Sequence, residues 1–176
     1  MNNINGLTFI SNFITENEEL ELLDNINKSK WNTEIRRRTQ HYGFRYPYKN
    51  TTKLIKTDPI PKFLQGILEK LNDQTGKDFD QIIINEYEPG HGICPHVDNT
   101  YLFGDTVVSL SLQSNTIMDF TNYGKHIEVE LLRKSIVILQ KDARYKWRHG
   151  IEAIKMDNNI QRGKRVSITF REAVKI

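Results

Sequence analysis

The sequence predicts an α+β fold in which a double-stranded β-helix, or jelly roll, is covered on one side by helices. Two helical patterns lie before about residue 80, and short segments rich in Val, Ile and Leu then follow one another, separated by turn residues. Short strands in succession, without helices between them, are typical of sandwiches and jelly rolls rather than of parallel sheets. Because 176 residues fit one domain around one core, we expect a single domain over 1–176, with the jelly roll over about 80–172.

The first helix is predicted over the segment TENEELELLDNIN. Thr15 and Glu18 form the pattern of a capping box, in which each side chain bonds the backbone N–H of the other residue. Leu20, Leu23 and Ile26 follow at roughly helical spacing and are expected to form the apolar side of this helix.

The second helix is predicted over the segment DPIPKFLQGILEKLNDQTG. Asp58 is a candidate N-cap, Pro59 suits the first turn and Gly76 is a candidate C-terminal stop. An apolar stripe at helical spacing is formed by Phe63, Leu64, Ile67, Leu68 and Leu71.

Seven strands are predicted after about Asp80, in the segments QIIINEY, TVVSLSL, NTIMDF, HIEVELL, SIVILQ, KWRHGI and RVSITF. In the second of them Val108, Leu110 and Leu112 alternate with Ser109 and Ser111. Since neighbouring side chains of a strand point to opposite faces, this alternation predicts one buried face.

Composition and charge exclude several classes of protein. No run of about 18 apolar residues is present, and the N-terminus lacks the basic and apolar regions of a secretory signal. The single cysteine, Cys94, excludes an internal disulfide and a multi-cysteine zinc site. We therefore expect an intracellular monomer of the cytoplasm or nucleus, neither secreted nor bound to a membrane. The net charge of +3 is compatible with a polyanionic partner.

The segment EPGHGICPHVDNT contains a candidate metal site. His96 and Asp98 supply two of the three ligands of a two-His-one-carboxylate triad, which holds one face of Fe(II) and leaves the other open. His149, in RYKWRHGI, is the candidate third ligand, on a strand expected to face the first across the barrel. The alternatives are polar loop residues without a metal, or a zinc site that adds His91 and Cys94 to His96. The other two histidines, His41 and His126, have no carboxylate at ligand spacing along the chain.

The last predicted strand, RVSITFR, has one unusual face. Arg165, Ser167, Thr169 and Arg171 share that face, because their spacing is even. If the face is buried, two guanidinium groups need anions, and a dicarboxylate such as 2-oxoglutarate would supply them. If the face is solvated, no ligand is required.

Basic and aromatic residues are interleaved in the segment RRRTQHYGFRYPY. The basic residues are Arg36, Arg37, Arg38 and Arg45, and the rings are His41, Tyr42, Phe44, Tyr46 and Tyr48. Such a mixture suits nucleic acid, because cations meet phosphates and rings stack on bases. The alternative is a solvated basic loop whose aromatic side chains reach the core.

Four motifs, NEYEPGHGICPHVD, SLSLQSNTIMDF, RYKWRHGI and RVSITFR, occur in the order found in one enzyme family. On these motifs the chain resembles the AlkB family of Fe(II)- and 2-oxoglutarate-dependent dioxygenases, from about residue 36 to 171. The residues of these motifs look most like those in the oxygenase domain of the eukaryotic AlkB homologue that hydroxylates a modified wobble uridine in tRNA. The resemblance implies Fe(II), 2-oxoglutarate and O2 as cofactors, and a nucleotide-recognition lid, with the covering helices, within about 1–79.

The resemblance also implies roles for individual residues. The implied iron ligands are His96, Asp98 and His149, and the implied contacts of 2-oxoglutarate are Asn85, Tyr87, Arg165, Ser167 and Arg171. Arg165 is expected to hold the distal carboxylate, while Arg171 lies near the iron-bound end and acts in catalysis with Asp98. Ser167 stands where many family members have Asn. Thr100 stands where the bacterial repair enzyme has an Asp that touches the substrate base.

The function predicted from these features is oxidative demethylation or hydroxylation of a modified nucleobase in RNA or DNA, with tRNA slightly favoured. The expected substrate contacts are Arg36, Arg37, Arg38, His41, Tyr42 and Thr100, and the candidate stacking rings are His41, Tyr42 and Trp31. Two alternatives are oxidation of a protein side chain, and a non-catalytic jelly-roll binding module. Besides nucleic acid and 2-oxoglutarate, a targeting partner is expected.

Overall fold

The computed structural model describes residues 4–45 and 53–174, and Tyr46 and Tyr48 of the predicted lid lie outside these ranges. The helices are α1 Glu16–Lys28, α2 Gln65–Thr75 and the short α3 Lys141–Tyr145. The strands are β1 Leu7–Ile10, β2 Thr39–Tyr42, β3 Phe44–Arg45, β4 Ile55–Lys56, β5 Gln81–Tyr87, β6 Ile93–His96, β7 Phe103–Leu112, β8 Thr116–Asn122, β9 Lys125–Leu131, β10 Ile136–Leu139, β11 Arg148–Ile151, β12 Met156–Asp157, β13 Ile160–Gln161 and β14 Arg165–Ala173. Within the described ranges, no helix is long and apolar enough to cross a membrane.

Two antiparallel sheets form the body of the molecule. The major sheet has the order β1-β10-β7-β14-β5-β2, and the minor sheet has the order β6-β11-β8-β9. Each of the seven predicted strands is present, and the predicted jelly roll is confirmed. The remaining short strands pair as two hairpins, β3 with β4 and β12 with β13.

Both edges of the major sheet come from the N-terminal part of the chain. β1 pairs with β10 at one edge, and β2 pairs with β5 at the other. The jelly roll therefore extends into residues 1–79, which were predicted to hold only helices and lid. These two strands have four residues each and lack a run of Val and Ile, so their sequences alone carry little strand signal.

Helix α1 begins as predicted, with Thr15 and Glu18 making both bonds of the capping box. Its buried side is formed by Glu19, Leu22 and Ile26, whereas the predicted Leu20 is exposed. Glu19 is buried because Arg133 and the backbone N–H of Gln113 both donate to its carboxylate.

Helix α2 begins later than predicted. A 3-10 turn over Lys62–Leu64 precedes it, and Asp58 does not cap it. The reason is local, because a residue that precedes proline avoids helical backbone angles and Ile60 precedes Pro61. The helix ends at Gly76 in a left-handed conformation (φ +67°), as predicted.

The two long helices cover the outer face of the major sheet. Ile26 of α1 and Leu71 of α2 are in one hydrophobic cluster with outward side chains such as Ile84, Leu110 and Ile168. The inward face of the same sheet carries the polar residues that alternate with the apolar ones in β7, Ser109 and Ser111. Ser111 is buried there rather than solvated, so both faces of β7 are covered.

Candidate active site

A cavity of about 440 Å³ lies between the two sheets. Nine of the residues predicted as metal, co-substrate or substrate contacts line it: Arg37, Asn85, Tyr87, His96, Asp98, His149, Arg165, Ser167 and Arg171. The inward faces of β5 and β14 supply five of these side chains, because residues at even spacing share a face. The structure therefore brings the predicted metal ligands and the predicted co-substrate contacts together at one site.

His96 and His149 lie on neighbouring strands of the minor sheet. β6 and β11 are antiparallel, and His149 is directly opposite His96 in their register. The two imidazole rings are 4.5 Å apart between centroids. The expectation that these strands face each other across the barrel is therefore wrong. The strands between β6 and β11 in the chain do not separate them in the sheet. β7 and β10 belong to the major sheet, and β8 and β9 lie on the other side of β11.

The three candidate ligands converge. Ligand atoms of His96, Asp98 and His149 all lie within 4.8 Å of one another. His96 Nδ1 donates to the carbonyl of Cys94 at 2.9 Å, which leaves Nε2 with its lone pair available. His149 Nε2 lies 3.5 Å from Asp98 Oδ2. Two imidazoles and one carboxylate on one side of a cavity are a donor set that suits Fe(II).

The protonation states of the buried ligands favour metal binding. Burial lowers the pKa of His149 to about 4, so its ring is neutral at pH 7. Burial alone raises the pKa of Asp98, but the charges of the neighbouring basic residues, Arg171 first among them, together outweigh it and the pKa falls to about 2. The site thus holds a neutral imidazole beside an ionised carboxylate.

Arg171 orients the carboxylate of Asp98. Its Nη2 donates to Asp98 Oδ1 at 2.5 Å, while its Nη1 donates to Gln81 Oε1 at 3.1 Å. The guanidinium carbon lies 4.8 Å from the centroid of the Phe103 ring. Because Asp98 Oδ1 is taken, Oδ2 is the oxygen that faces His149. Gln81 was not recognised from the sequence, since only the fold brings it beside Arg171.

A buried arginine that the sequence did not indicate holds the loop carrying Asp98. Arg144, in α3, is 2% exposed, and its guanidinium donates only to backbone carbonyls. Nη1 bonds the carbonyl of Asp98 at 2.8 Å and Nε bonds that of Gly104 at 3.0 Å. Nη2 bonds the carbonyls of Asn99 and Phe103, each at 3.2 Å. Both ends of the loop after β6 are therefore fixed by one side chain.

The zinc alternative does not fit the geometry. Cys94 is exposed, and neither it nor His91 belongs to the cluster of ligand atoms around His96. His126 does have a carboxylate neighbour, since its Nε2 lies 2.6 Å from Asp119 Oδ1 across β8 and β9. The prediction for His126 considered spacing along the chain and missed this cross-strand pair. On this outer face of the minor sheet Asp119 is half-buried, whereas His126 and Glu128 are exposed.

Arg165 lies in the cavity as a buried cation. It is 3% exposed, and its Nη2 donates to Ser111 Oγ at 2.8 Å while its Nε has no partner. No carboxylate of the described ranges forms an ion pair with it. Burial lowers its pKa to about 10, so it still carries a charge at pH 7. The alternative of a solvated strand face is therefore wrong, and the orphaned guanidinium fits an anionic ligand.

Asn85, Tyr87 and Ser167 surround this cation. Asn85 Oδ1 accepts a hydrogen bond from Arg37 Nε at 3.0 Å. The guanidinium carbon of Arg165 lies 5.6 Å from the centroid of the Tyr87 ring, and that of Arg37 lies 5.7 Å from it. Ser167 Oγ lies 3.0 Å from Ser109 Oγ.

The three consecutive arginines have three different environments. Arg36 is exposed, whereas Arg37 lines the cavity. Arg38 pairs with Glu86 through two hydrogen bonds, at 2.5 Å and 2.8 Å, and lies 4.4 Å from the centroid of the Trp31 ring. Arg38 thus contacts the Trp31 ring, and its charge is already paired with that of Glu86.

Two of the predicted substrate rings are buried in β2. Tyr42 points to the outer face of the major sheet, packs in the core beneath the helices and donates to Gln40 Oε1 at 3.0 Å. This position removes Tyr42 from the candidate substrate contacts, because the cavity lies on the opposite face. His41 points inward, and burial lowers its pKa to about 4. Thr100 is exposed in the turn that follows Asp98.

Comparison with known proteins places this fold and site in a family. The model of the 2OG-Fe(II) oxygenase superfamily matches residues 6–171. The chain belongs to this superfamily. Its relatives, described next, place it in the AlkB family of these enzymes. The oxygenase is thus a dioxygenase whose cofactors are Fe(II), 2-oxoglutarate and O2.

Relatives of this oxygenase occur in a virus and in animals, among other organisms. It is 39% identical to the uncharacterized protein L905 of Acanthamoeba polyphaga mimivirus, over 98% of this chain and 87% of that protein. It is 33% identical to the mouse tRNA (carboxymethyluridine(34)-5-O)-methyltransferase ALKBH8, over 86% of this chain but 25% of that protein. It is 30% identical to a Caenorhabditis elegans DNA N6-methyl adenine demethylase, over 98% of this chain and 61% of that protein.

The fold of the oxygenase is also found among solved structures. The structure of OsALKBH1 superposes with a TM-score of 0.71 at 17% identity, over 95% of this chain and 96% of that one. At this identity the likeness concerns the fold alone, and it agrees with the jelly roll described above.

Proposed function

We propose that this oxygenase hydroxylates or demethylates a modified nucleobase in RNA or DNA, with tRNA as the favoured nucleic acid. The observation that carries the proposal is one shared cavity. It is lined by a convergent His-Asp-His set and by Arg37 and Arg165, which have no carboxylate partners among the described residues. A binding module without catalysis has no need for this combination.

In this proposal His96, Asp98 and His149 hold Fe(II), and Arg165 holds the distal carboxylate of 2-oxoglutarate. The free Nε of Arg165 and its bonded Nη2 lie on one edge of the guanidinium fork, so a carboxylate would complete a two-point contact there. The free amide nitrogen of Asn85 and the hydroxyl of Tyr87 are positioned to donate to the same ligand.

When bound there, Fe(II) and 2-oxoglutarate would supply the oxidation, in which O2 and 2-oxoglutarate are converted to succinate and CO2 while one C–H bond of the substrate becomes C–OH. The protein holds and shields this reaction. Arg171 keeps the Asp98 carboxylate ionised and turned toward the two imidazoles. Apolar side chains on the cavity wall, including Val107, Met118 and Leu139, exclude water from the site. A hydroxymethyl group formed on a nitrogen then leaves as formaldehyde.

Arg37 is the residue in the predicted lid that best supports a nucleic-acid substrate. Its Nε is fixed by Asn85, and its terminal nitrogens have no acceptor among the described residues. A half-buried cation oriented in this way at a cavity fits a phosphate or another anionic group of the substrate. The names of the relatives point to the same class, since one concerns tRNA carboxymethyluridine and the other DNA N6-methyl adenine.

The cofactor part of the proposal is tested by turnover without a nucleic acid. Protein incubated with Fe(II), ascorbate and 2-oxoglutarate should form succinate slowly, and Asp98→Ala should abolish it. Asp105→Ala is the matched control, because this exposed carboxylate pairs with Lys77 outside the cavity. Unchanged succinate formation in Asp98→Ala would show that Asp98 is not a metal ligand.

The substrate part is tested by the salt dependence of nucleic-acid binding. Each phosphate contact to a single strand contributes roughly 0.7 to the slope of log affinity against log salt, so Arg36→Gln with Arg37→Gln should lower the slope by about 1.4. Arg38 is left in place, because its charge is already paired with Glu86. The control is Lys28→Gln with Lys62→Gln, which removes the same charge from the helical side. Equal slopes in both double variants would refute a contact by the arginines.

A further inference from the structure

The hairpin turn between β8 and β9 holds a tyrosine in an unfavourable, left-handed backbone conformation. Tyr123 and Gly124 are the two turn residues between Asn122 and Lys125, and both have positive φ, +43° and +78°. This is the pattern of a two-residue type I′ turn, in which Asn-Gly is the favoured pair. A bulky residue in the left-handed region costs on the order of 1–2 kcal/mol.

Nothing in the fold compensates for this tyrosine. Its side chain is 100% exposed, so it packs against no other residue. An asparagine at the same position would adopt the left-handed backbone conformation with less strain and would expose no aromatic ring to water. When an unfavourable backbone conformation holds an aromatic ring out in water, a role in binding is the physical reason to look for.

The ring stands at the border of a cationic groove, which we call the hairpin groove. This shallow groove of about 920 Å³ is lined by Thr121, Asn122, Tyr123, Gly124, Lys125, His126, Tyr145, Lys146 and Arg148. No acidic residue is among these lining residues, and Tyr145 is a second ring, 46% exposed.

The cations of the hairpin groove are only partly neutralised. Lys146 pairs with Asp142 at 3.0 Å, in an exposed contact worth little. Lys125 and Arg148 have no carboxylate at ion-pair distance within residues 4–45 and 53–174. Arg148 donates instead to the carbonyl of Pro95, at 3.1 Å from Nε and 2.7 Å from Nη2. Its charge therefore remains available to an anion.

The opposite end of the same sheet has the opposite charge. A second groove, of about 490 Å³, includes Glu128, Glu130 and Asp157 against the single cation Arg162 among its lining residues. A polyanion on the outer face of the minor sheet is thus attracted to the hairpin groove and repelled from the other end.

The hairpin groove lies at the end of the sheet that carries the candidate metal ligands. Arg148 directly precedes His149, and the Pro95 carbonyl that it bonds directly precedes His96. Arg148 pairs in register with Thr121, the first of the groove residues on β8. A strand whose target nucleotide enters the cavity can therefore continue over this end of the sheet.

We propose that the hairpin groove binds the single-stranded nucleic acid that flanks the target nucleotide. Tyr123 stacks on a base, and Lys125, Lys146 and Arg148 contact the backbone phosphates. The inference rests on the proposed nucleic-acid function and adds a second contact surface to it, separate from the predicted lid.

The first test separates binding from folding at one residue. In Tyr123→Asn the turn gains its preferred residue, so the melting temperature should stay equal or rise. Affinity for short fluorescein-labelled single-stranded RNA or DNA should nevertheless fall about fivefold or more, because a stacking ring is lost. Tyr123→Trp should restore the affinity. If Tyr123→Asn binds as tightly as the unchanged protein, the stacking role is refuted.

The second test concerns the charges. Lys125→Gln with Lys146→Gln should reduce the salt slope by roughly 1.4, whereas Lys28→Gln with Lys62→Gln should not change it. Succinate formation without nucleic acid should be the same in all these variants, because none of the four lysines lines the cavity. Equal slopes for the two double variants would overturn the groove proposal alone. If the unchanged protein forms succinate but binds neither RNA nor DNA, the nucleic-acid function fails and this inference fails with it.

Discussion

At the scale of single residues, Arg165 is the side chain whose surroundings most specifically call for a ligand. A guanidinium buried to this degree, with a free Nε and no ion pair within the described part of the chain, is unfavourable unless an anion joins it. The bond to Ser111 Oγ at 2.8 Å satisfies one nitrogen and fixes the direction of the fork. The residue is thus stable only as half of a charge pair.

This situation predicts opposite effects of Arg165→Met on folding and on co-substrate binding. Without ligand, the variant should unfold at an equal or higher temperature, since an uncompensated buried charge is removed. Its KM for 2-oxoglutarate should rise at least about 30-fold, because loss of one partner of a buried charge pair costs about 2 kcal/mol or more. Calorimetry and succinate formation measure the two effects. An unchanged KM would contradict the assignment.

Arg144 is expected to influence the candidate metal site through the backbone carbonyls that it bonds. Arg144→Lys cannot bond four carbonyls with one ammonium group, so the loop that carries Asp98 should loosen. We expect the affinity for Mn(II), used as a stable substitute for Fe(II), to fall about 10- to 100-fold.

Arg162→Lys is the matched control for Arg144→Lys. Arg162 is also buried, and it bonds the carbonyls of Glu152 and Ile154 and the carboxylate of Asp157, none of which is a candidate metal ligand. Both variants should lower the melting temperature, and only Arg144→Lys should weaken Mn(II) binding. A loss of equal size in both variants would mean that Arg144 serves stability alone.

At the scale of elements, the candidate metal site depends on the close approach of β6 and β11. A Cβ added at Gly150 would lie 2.9 Å from the Ile93 carbonyl oxygen and 2.9 Å from the Pro95 nitrogen. These are backbone atoms of β6, so a larger residue must push the strands apart. Since His96 and His149 face each other in this pair, the separation would move one ligand from the other.

Gly150→Ala should therefore weaken Mn(II) binding by about tenfold or more while the circular dichroism spectrum stays unchanged. Gly66→Ala is the control, because a Cβ there meets nothing within 4 Å. Gly66 is the second residue of α2, where alanine is the better helix former, so that change should stabilise the protein by up to about 1 kcal/mol without altering metal affinity. The element argument fails if Gly150→Ala binds Mn(II) as the unchanged protein does.

The elements that could be predicted from the sequence are those with a strong local pattern. β7 and β14 alternate regularly, and the α1 capping box is a pair of residues three apart, so each could be recognised without the fold. β1 and β2 are short edge strands defined by pairing with β10 and β5, which lie far away in the chain. Their strand character arises from tertiary pairing and not from propensity.

The same distinction applies to the site. The spacing of His96 and Asp98 and the even spacing of Arg165 and Arg171 are visible in the sequence. The role of Arg144 is not, because its partners are backbone carbonyls and leave no residue type to recognise. The sequence left open whether Tyr42 contacts substrate or reaches the core, because the four-residue edge strand β2 fixes which face each side chain takes.

At the scale of the whole molecule, we expect the jelly roll and its cover to form a single folding unit. The outward face of the major sheet is apolar and is covered by α1 and α2, while both edges of that sheet are N-terminal strands. Residues 80–172 alone would expose this apolar face and leave β10 and β5 as unpaired edges.

A fragment of residues 80–172 is therefore expected to aggregate or remain unfolded. The full chain should unfold in one cooperative transition, because the helices and both edge strands share a core with the rest. Circular dichroism and amide NMR spectra of the fragment and the full chain measure this difference. A fragment with dispersed amide signals and a cooperative melt would contradict the account and would support a separate jelly-roll domain.

The central claim is that this cavity oxidises a nucleobase, and mass spectrometry of nucleosides tests it most directly. RNA and DNA are incubated with Fe(II), ascorbate, 2-oxoglutarate and either the unchanged protein or Asp98→Ala, then digested to nucleosides. The account predicts that one modified nucleoside gains an oxygen or loses a methyl group with the unchanged protein and stays intact with Asp98→Ala. Unaltered nucleosides from both nucleic acids, despite active succinate formation, would contradict it.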